Sequence, residues 1–276
     1  MRVTVLADNC AGKGALKGES GLSMLIETGD RNYLFDTGLG KLFYANSRLM
    51  NLELFGVERI ILSHGHYDHA DGLPWAFREC DSADLIIHKR ALDKKFSNST
   101  GVLRYIGPNQ KALNALQEAD EAGRVIWMEG EVLEDAGNII FSTGGRQNIP
   151  KNWNFFIEDE NGKDIPDNFP DEISLLVQGQ TCAALFVGCS HCGLPAIVEK
   201  AETLTELPIR YIFGGSHLDK VINGEIDEVA EFFLQRNCKL FLGHCTGING
   251  YSRLYHALNA RNLYPIQSGF TVDYDI

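Results

Sequence analysis

Short apolar, β-branched runs separated by turn residues recur along the whole chain, and they predict strands. In the first half they are "RVTVLAD" (2–8), "LSMLIET" (22–28), "NYLFDTG" (32–38), "ERIILS" (58–63), "ADLIIH" (83–88) and "RVIWME" (124–129). The second half continues with "NIIFST" (138–143), "WNFFIE" (153–158), "ISLLVQ" (173–178), "CAALFVG" (182–188), "PIRYIFGG" (208–215) and "CKLFLGH" (238–244). A different period rules 109–120, where Ala112, Leu113, Ala115, Leu116 and Ala119 fall at helical spacing and leave a polar face between them. Further helices are expected over 194–205, 225–236 and 250–260, the second with Ile226, Val229, Ala230 and Phe233 on one face. The stretch 161–172, "NGKDIPDNFPDE", reads as a polar, proline-containing loop too short to separate domains. Each half runs as a meander of strands and then alternates strand with helix. That pattern predicts one α/β domain over residues 1–276, built of two similar halves with sheets inside and helices outside.

Composition narrows the picture. The chain has 276 residues, 44% hydrophobic and 22% charged, so a packed core is expected. A net charge of −12 argues against a general nucleic-acid binder, and no run of apolar residues is long enough to cross a bilayer. The start "MRVTVLADNC" reads as a strand rather than a secretion signal. Seven cysteines, an odd number spread from Cys10 to Cys245, suit reduced thiols in a cytoplasmic protein better than a disulfide framework.

The candidate chemistry is concentrated after the fourth strand. Between His64 and Asp71 the sequence "HGHYDHAD" packs three histidines and two aspartates into eight positions. His64 and His66 are two apart, so their imidazoles can turn to one ion, and Asp68 and His69 can hold a second beside it. Gly65 removes a side chain where the backbone turns tightly. The run lies between a strand and an expected helix, at a loop where a rigid scaffold presents reactive groups.

His64-x-His66-x-Asp68-His69 resembles the HxHxDH motif of the metallo-β-lactamase fold superfamily. "GESGLSMLIE", "YLFDTG", "GCSHCG", "GGSHL" and "GHCTG" extend the likeness from about residue 3 to about residue 270. They are similar to the dihydropteroate-synthase-like branch, named for a dihydropterin-ribofuranosylaminobenzene 5'-phosphate synthase. The resemblance implies a metallo-β-lactamase-type αββα sandwich with two mixed sheets inside and helices outside. It implies two divalent metal ions, with zinc the first choice and iron or manganese compatible with the same donors. His64, His66 and His191 would hold the first ion; Asp68, His69 and His244 would hold the second. Asp68 would also orient the attacking water and accept its proton. Asp36 and Asn9 would support the ligands from behind. One feature departs from the superfamily. Many members bridge their metals with an aspartate after the strand that here reads "IRYIF", where this chain has Gly214, Gly215, Ser216 and His217. His217 either replaces that aspartate, contacts substrate or is purely structural, and no bridging carboxylate can be assigned.

Other residues weigh less. Cys189 and Cys192 have the spacing of a zinc ligand pair, but no second CxxC completes a closed site, so buried thiols behind the centre are expected. Arg146 and Lys151, in the glycine-rich stretch 142–153, form either a hairpin connection or a rim that meets an anionic substrate. The resulting expectation is a metal-dependent hydrolase that turns a metal-activated water on a small phosphorylated or ester-type substrate, without a nucleic-acid or membrane partner. The oligomeric state stays open. The alternatives are a synthase or transferase of the dihydropterin-ribofuranosylaminobenzene 5'-phosphate type, and a metal-binding or sensing protein without turnover.

Overall fold

The central strands are apolar at nearly every position because both of their faces are covered. A computed structural model of the chain describes every residue except Lys13, Lys151, Asn152 and Ile222. Two seven-stranded sheets stack face to face. The first runs in the order Thr271–Asp273, Arg2–Ala7, Ser23–Glu27, Asn32–Phe35, Arg59–Leu62, Asp84–His88, Val125–Met128. The second runs Val132–Asp135, Asn138–Ser142, Ile173–Gln178, Ala183–Phe186, Ile209–Gly214, Lys239–Leu242, Leu263–Pro265. Read in these directions, each sheet makes three antiparallel pairings followed by three parallel ones. The two similar halves expected from the sequence are therefore visible in the pairing itself. The first sheet takes one edge strand from the end of the chain.

Side-chain alternation builds the layers. Val3, Val5, Phe35, Ile61 and Ile86 of the first sheet meet Ile140, Leu175, Val177, Phe186 and Phe213 of the second in the core between them. The opposite face of the first sheet, with Leu34, Ile60, Leu62, Leu85 and Ile87, is covered by residues of helices Leu42–Leu49, Leu73–Glu79 and Gln110–Glu121. Leu185, Val187, Ile212 and Leu240 pack on helices Leu194–Glu202, Asn223–Leu234 and Gly247–Ala257. Helix, sheet, sheet and helix give the αββα sandwich.

The observed elements follow the apolar pattern closely, with informative exceptions. The strands expected over 32–38, 58–63, 182–188 and 238–244 stop at Phe35, Leu62, Phe186 and Leu242. Each strand leaves the pleat before its apolar run ends, which places Asp36 and Ser63 in loops, Cys189 in the loop just past its strand, and His244 at the start of a short 3-10 helix, His244–Thr246. Asp36 and His244 adopt φ of 58° and 50°, outside any strand. Strand 153–158 exists as Phe155–Glu158 but joins neither large sheet. It pairs with Asp164–Pro166 and Lys95–Ser97, and Arg104–Tyr105 completes a four-stranded third sheet. The loop expected over 161–172 thus contains a short strand. Helix Leu42–Leu49 and the short edge strands carry too little periodicity to stand out in the sequence. No helix among the described residues is long and apolar enough to cross a membrane.

Phe186 is fully buried between the sheets and stacks on Phe213 at 5.1 Å. Phe186→Ala is expected to lower unfolding free energy by about 3–5 kcal/mol, read by urea denaturation, because the rigid sheets cannot close over the cavity.

Candidate metal centre

The parallel strands of both sheets end at one edge of the sandwich, and the loops that leave them bring His64, His66, His69, His191 and His244 together. His64 lies 4.5 Å from His66, 4.2 Å from His69 and 5.0 Å from His191, centroid to centroid. His69 Nε2 and His244 Nε2 are 3.1 Å apart. Asp68, which is half-buried, places Oδ2 3.8 Å from His244 Nε2. Two groups of donor atoms lie within 4.8 Å of one another: His64, Cys189 and His191, and His69, Cys189 and His244. Cys189 belongs to both, so its thiol faces the histidines instead of packing behind them. Cys192 is buried and donates to the Phe169 carbonyl at 3.4 Å, which fits the expectation of a buried thiol better, whereas Cys245 is half-buried, lines the cavity and donates to the Cys189 carbonyl at 3.4 Å.

The second row of hydrogen bonds fixes which imidazole nitrogen faces inward. The Ser63 hydroxyl donates its proton to Asp36 Oδ2 at 2.7 Å, so it accepts from His64 Nδ1 at 2.9 Å. His69 Nδ1 donates to the same carboxylate oxygen at 2.7 Å, and His244 Nδ1 donates to Asn9 Oδ1 at 2.9 Å. In their neutral forms all three rings therefore turn an Nε2 lone pair toward the centre. The lone pairs of His69 and His244 face each other at hydrogen-bond distance, an arrangement that needs a proton or a cation between them. His64 Nε2, His66 Nε2 and both ring nitrogens of His191 are buried without a hydrogen-bond partner among the described residues. Unpaired buried nitrogens of this kind are costly. The donor set fits divalent metal ions, which would satisfy these atoms.

The loops are held by carboxylates. Asp36 Oδ1 accepts from Ser63 N, and Asp8 Oδ2 accepts from His244 N, both at 2.7 Å. Asp171 accepts from Gly65 N at 2.9 Å, and Glu172 accepts from His191 N at 2.7 Å and Cys192 N at 2.8 Å. Lys95, buried in the third sheet, joins Asp171 to Asp167 at 2.9 and 2.8 Å. Phe169 stacks on His191 at 3.9 Å and 10°. The segment read from sequence as a polar loop is thus a buried clamp on both histidine loops. Gly65 is required by close approach: a Cβ there would lie 1.9 Å from the Ala91 carbonyl oxygen.

Electrostatics keep most of the rings neutral. Burial, reinforced by the neighbouring histidines, pushes His64, His191 and His244 well below the ordinary histidine range. Burial and the Lys95 charge do the same for His66. His69 differs: burial opposes its charge, but the Asp36 carboxylate outweighs burial and raises its pKa to about 9. In a metal-free site a proton on His69 thus takes the position between the two facing nitrogens. Burial raises Asp8 to about 6 and moves Asp68 upward as well.

A cavity of about 970 Å³ opens over the histidines. His217 is half-buried in its wall, 4.5 Å from His191 and 5.4 Å from Phe155, and burial pushes its pKa down to about 4. It stands outside both donor groups, as do His66 and Asp68. Arg146 also lines the cavity; it donates to the carbonyls of His191 at 2.8 Å and Asn148 at 2.9 Å and lies over Trp153. The described part of the 142–153 stretch is therefore a cavity rim tied to the His191 loop, while Lys151 and Asn152 lie outside the described residues. Ser63, Asp8, Glu172, Asp171 and Lys95 carry no sequence signal of their roles, since each acts through a partner distant in sequence or through a single backbone amide.

Residues 16–106 match the sequence profile of the metallo-beta-lactamase superfamily. The chain is 29% identical to an uncharacterized protein of Methanocaldococcus jannaschii, over 91% of this chain and 93% of the relative. It is 26% identical to the 7,8-dihydropterin-6-methyl-4-(beta-D-ribofuranosyl)-aminobenzene-5'-phosphate synthase of the same organism, over 90% of this chain and 88% of the relative. Among solved structures, Tm1679, a metal-dependent hydrolase of the beta-lactamase superfamily, superposes over the full length of both chains with a TM-score of 0.83 at 25% identity.

Asp36 is fully buried and receives three hydrogen bonds. Asp36→Ala is expected to cost about 3–5 kcal/mol of stability in metal-free protein, read by denaturant unfolding, because the buried His69 loses its counter-charge. A loss within 0.5 kcal/mol, the usual range for surface changes, would mean that Asp36 does not hold the site.

Proposed function

We propose that this chain, which belongs to the metallo-β-lactamase superfamily, is a metal-dependent hydrolase of a small phosphorylated or ester-type molecule. The observation that carries this reading is the set of buried, unpartnered imidazole nitrogens at the floor of a cavity wide enough for a small substrate. His64, His66 and His191 would hold one divalent ion, and Asp68, His69 and His244 a second. Zinc suits the nitrogen-rich donor set, with iron or manganese as alternatives. Bound ions would supply Lewis acidity toward a phosphoryl or carbonyl oxygen and make water more acidic.

The chain's own residues do the rest. Asp68, with its carboxyl shifted upward by burial, accepts the proton released by the attacking water. Neutral His217 offers a hydrogen bond from the cavity wall to the substrate or leaving group. Arg146, Arg104 and Lys220 line the same cavity and supply positive charge for an anionic group. Phe155 and Trp153 give it an apolar, aromatic side that excludes water. Seven free thiols support placement in a reducing, cytoplasmic setting.

A second reading, a synthase joining a dihydropterin to an aminobenzene ribosyl phosphate, is favoured by the 26% identical relative of that name. One assay separates the two. The hydrolase reading expects chelator-sensitive hydrolysis of one class among phosphodiesters, phosphomonoesters, lactones and thioesters. His64→Ala and His191→Ala should abolish turnover, Asp68→Asn should lower kcat by about 10²–10⁴-fold, and His217→Ala should raise KM with metal retained. Absence of hydrolysis across the panel, with condensation of the pterin and aminobenzene substrates, would reject the hydrolase in favour of the synthase.

A further inference from the structure

We infer that Cys189 is a metal ligand shared between the two halves of the centre, its thiolate bridging the His64–His191 group and the His69–His244 group. This rests on reading the histidine cluster as a metal centre. The thiol is the one donor common to both groups within 4.8 Å, and its Sγ lies 3.3 Å from His69 Nε2. It is buried, and His64 Nε2 and both ring nitrogens of His191 have no hydrogen-bond partner among the described residues.

The backbone leaves Cys189 little freedom to turn elsewhere. A Cβ on the preceding Gly188 would meet Ser63 Oγ at 2.2 Å, so the two ligand loops are pressed together at that point. The following residue, Ser190, has φ of 59° and donates from its hydroxyl to the Gly215 carbonyl at 2.7 Å. Glu172 then fixes the next two amides. One short loop thus delivers His191 to the first group and Cys189 to the space between both.

The other candidates for a bridge are accounted for. Asp219, the acid nearest the place where the sequence lacks a carboxylate, packs against Gly247, where a Cβ would lie 2.2 Å from its Oδ1. His217 faces Phe155 and His191. Cys245, half-buried at the cavity wall, donates to the Cys189 carbonyl in room left by Gly215 and belongs to neither donor group. On ligation the Cys189 thiol releases its proton to solvent and the sulfur lone pairs form the metal bonds; no oxidant or reductant is involved. A bridging thiolate biases the centre toward zinc, cobalt and iron(II) and away from magnesium and calcium.

The test uses the full chain loaded with cobalt(II), in a Cys10→Ser background that removes the exposed thiol. A near-ultraviolet sulfur-to-cobalt charge-transfer band is expected. It should survive Cys192→Ser and Cys245→Ser and disappear in Cys189→Ser, with affinity for at least one ion falling by about 10-fold or more. Cys189→Asp, which offers a carboxylate in the same place, should hold two ions without the band, and it keeps the test informative should the serine variant fold poorly. Two bound cobalt ions with no band, or a band that persists without Cys189, would overturn the bridge and leave the metal centre standing. Failure to take up cobalt at all would overturn both.

Discussion

Everything at the active edge of this molecule depends on buried carboxylates that hold backbone amides. Asp8, Asp36, Asp171 and Glu172 each accept at least one main-chain N–H from a loop that carries a histidine. Burying such charges costs several kcal/mol apiece unless hydrogen bonds satisfy them. Here the bonds come from the loops that must be immobilised, so the satisfaction of the acids and the placement of the histidines are one event. Lys95 adds the counter-charge for Asp167 and Asp171 and ties the third sheet into the same network. The result is a set of rings whose orientation is settled before any ligand arrives.

That rigidity has a chemical consequence. Imidazoles aimed at a common point cannot relieve their unpaired nitrogens by rotating away. His64 is restrained through Ser63, His69 through Asp36, His244 through Asn9, and His191 is stacked on Phe169. A folded chain has little reason to keep such a cluster for stability, because a hydrophobic filling would do better. The arrangement makes sense as a site whose energy is recovered when cations enter, and the cavity above it leaves room for a small molecule beside them.

The layered fold was legible in the sequence because a sandwich of this kind writes itself as many short apolar runs, and periodicity reads those runs well. It could not place Phe155–Glu158 in a third sheet, since a strand's partners leave no trace in its own pattern. Likewise His64, His66, Asp68 and His69 stood out because their spacing is local, within six consecutive residues. Cys189 did not, because its place between the two histidine groups depends on loops from both sheets meeting, and its CxxC spacing pointed only to a closed structural zinc site. The contacts of the 161–172 loop were hidden for the same reason. Asp167, Phe169, Asp171 and Glu172 look like a solvated loop until Lys95, Gly65 and His191 are brought to them from elsewhere in the chain.

The most direct test of the account is the metal content of the untagged protein by elemental analysis, beside its thermal unfolding with and without a chelator. About two divalent ions per chain are expected, with a lower melting temperature after stripping and recovery on adding zinc. Protein that purifies without metal, takes none up from a zinc buffer and melts at the same temperature throughout would contradict the account at its centre.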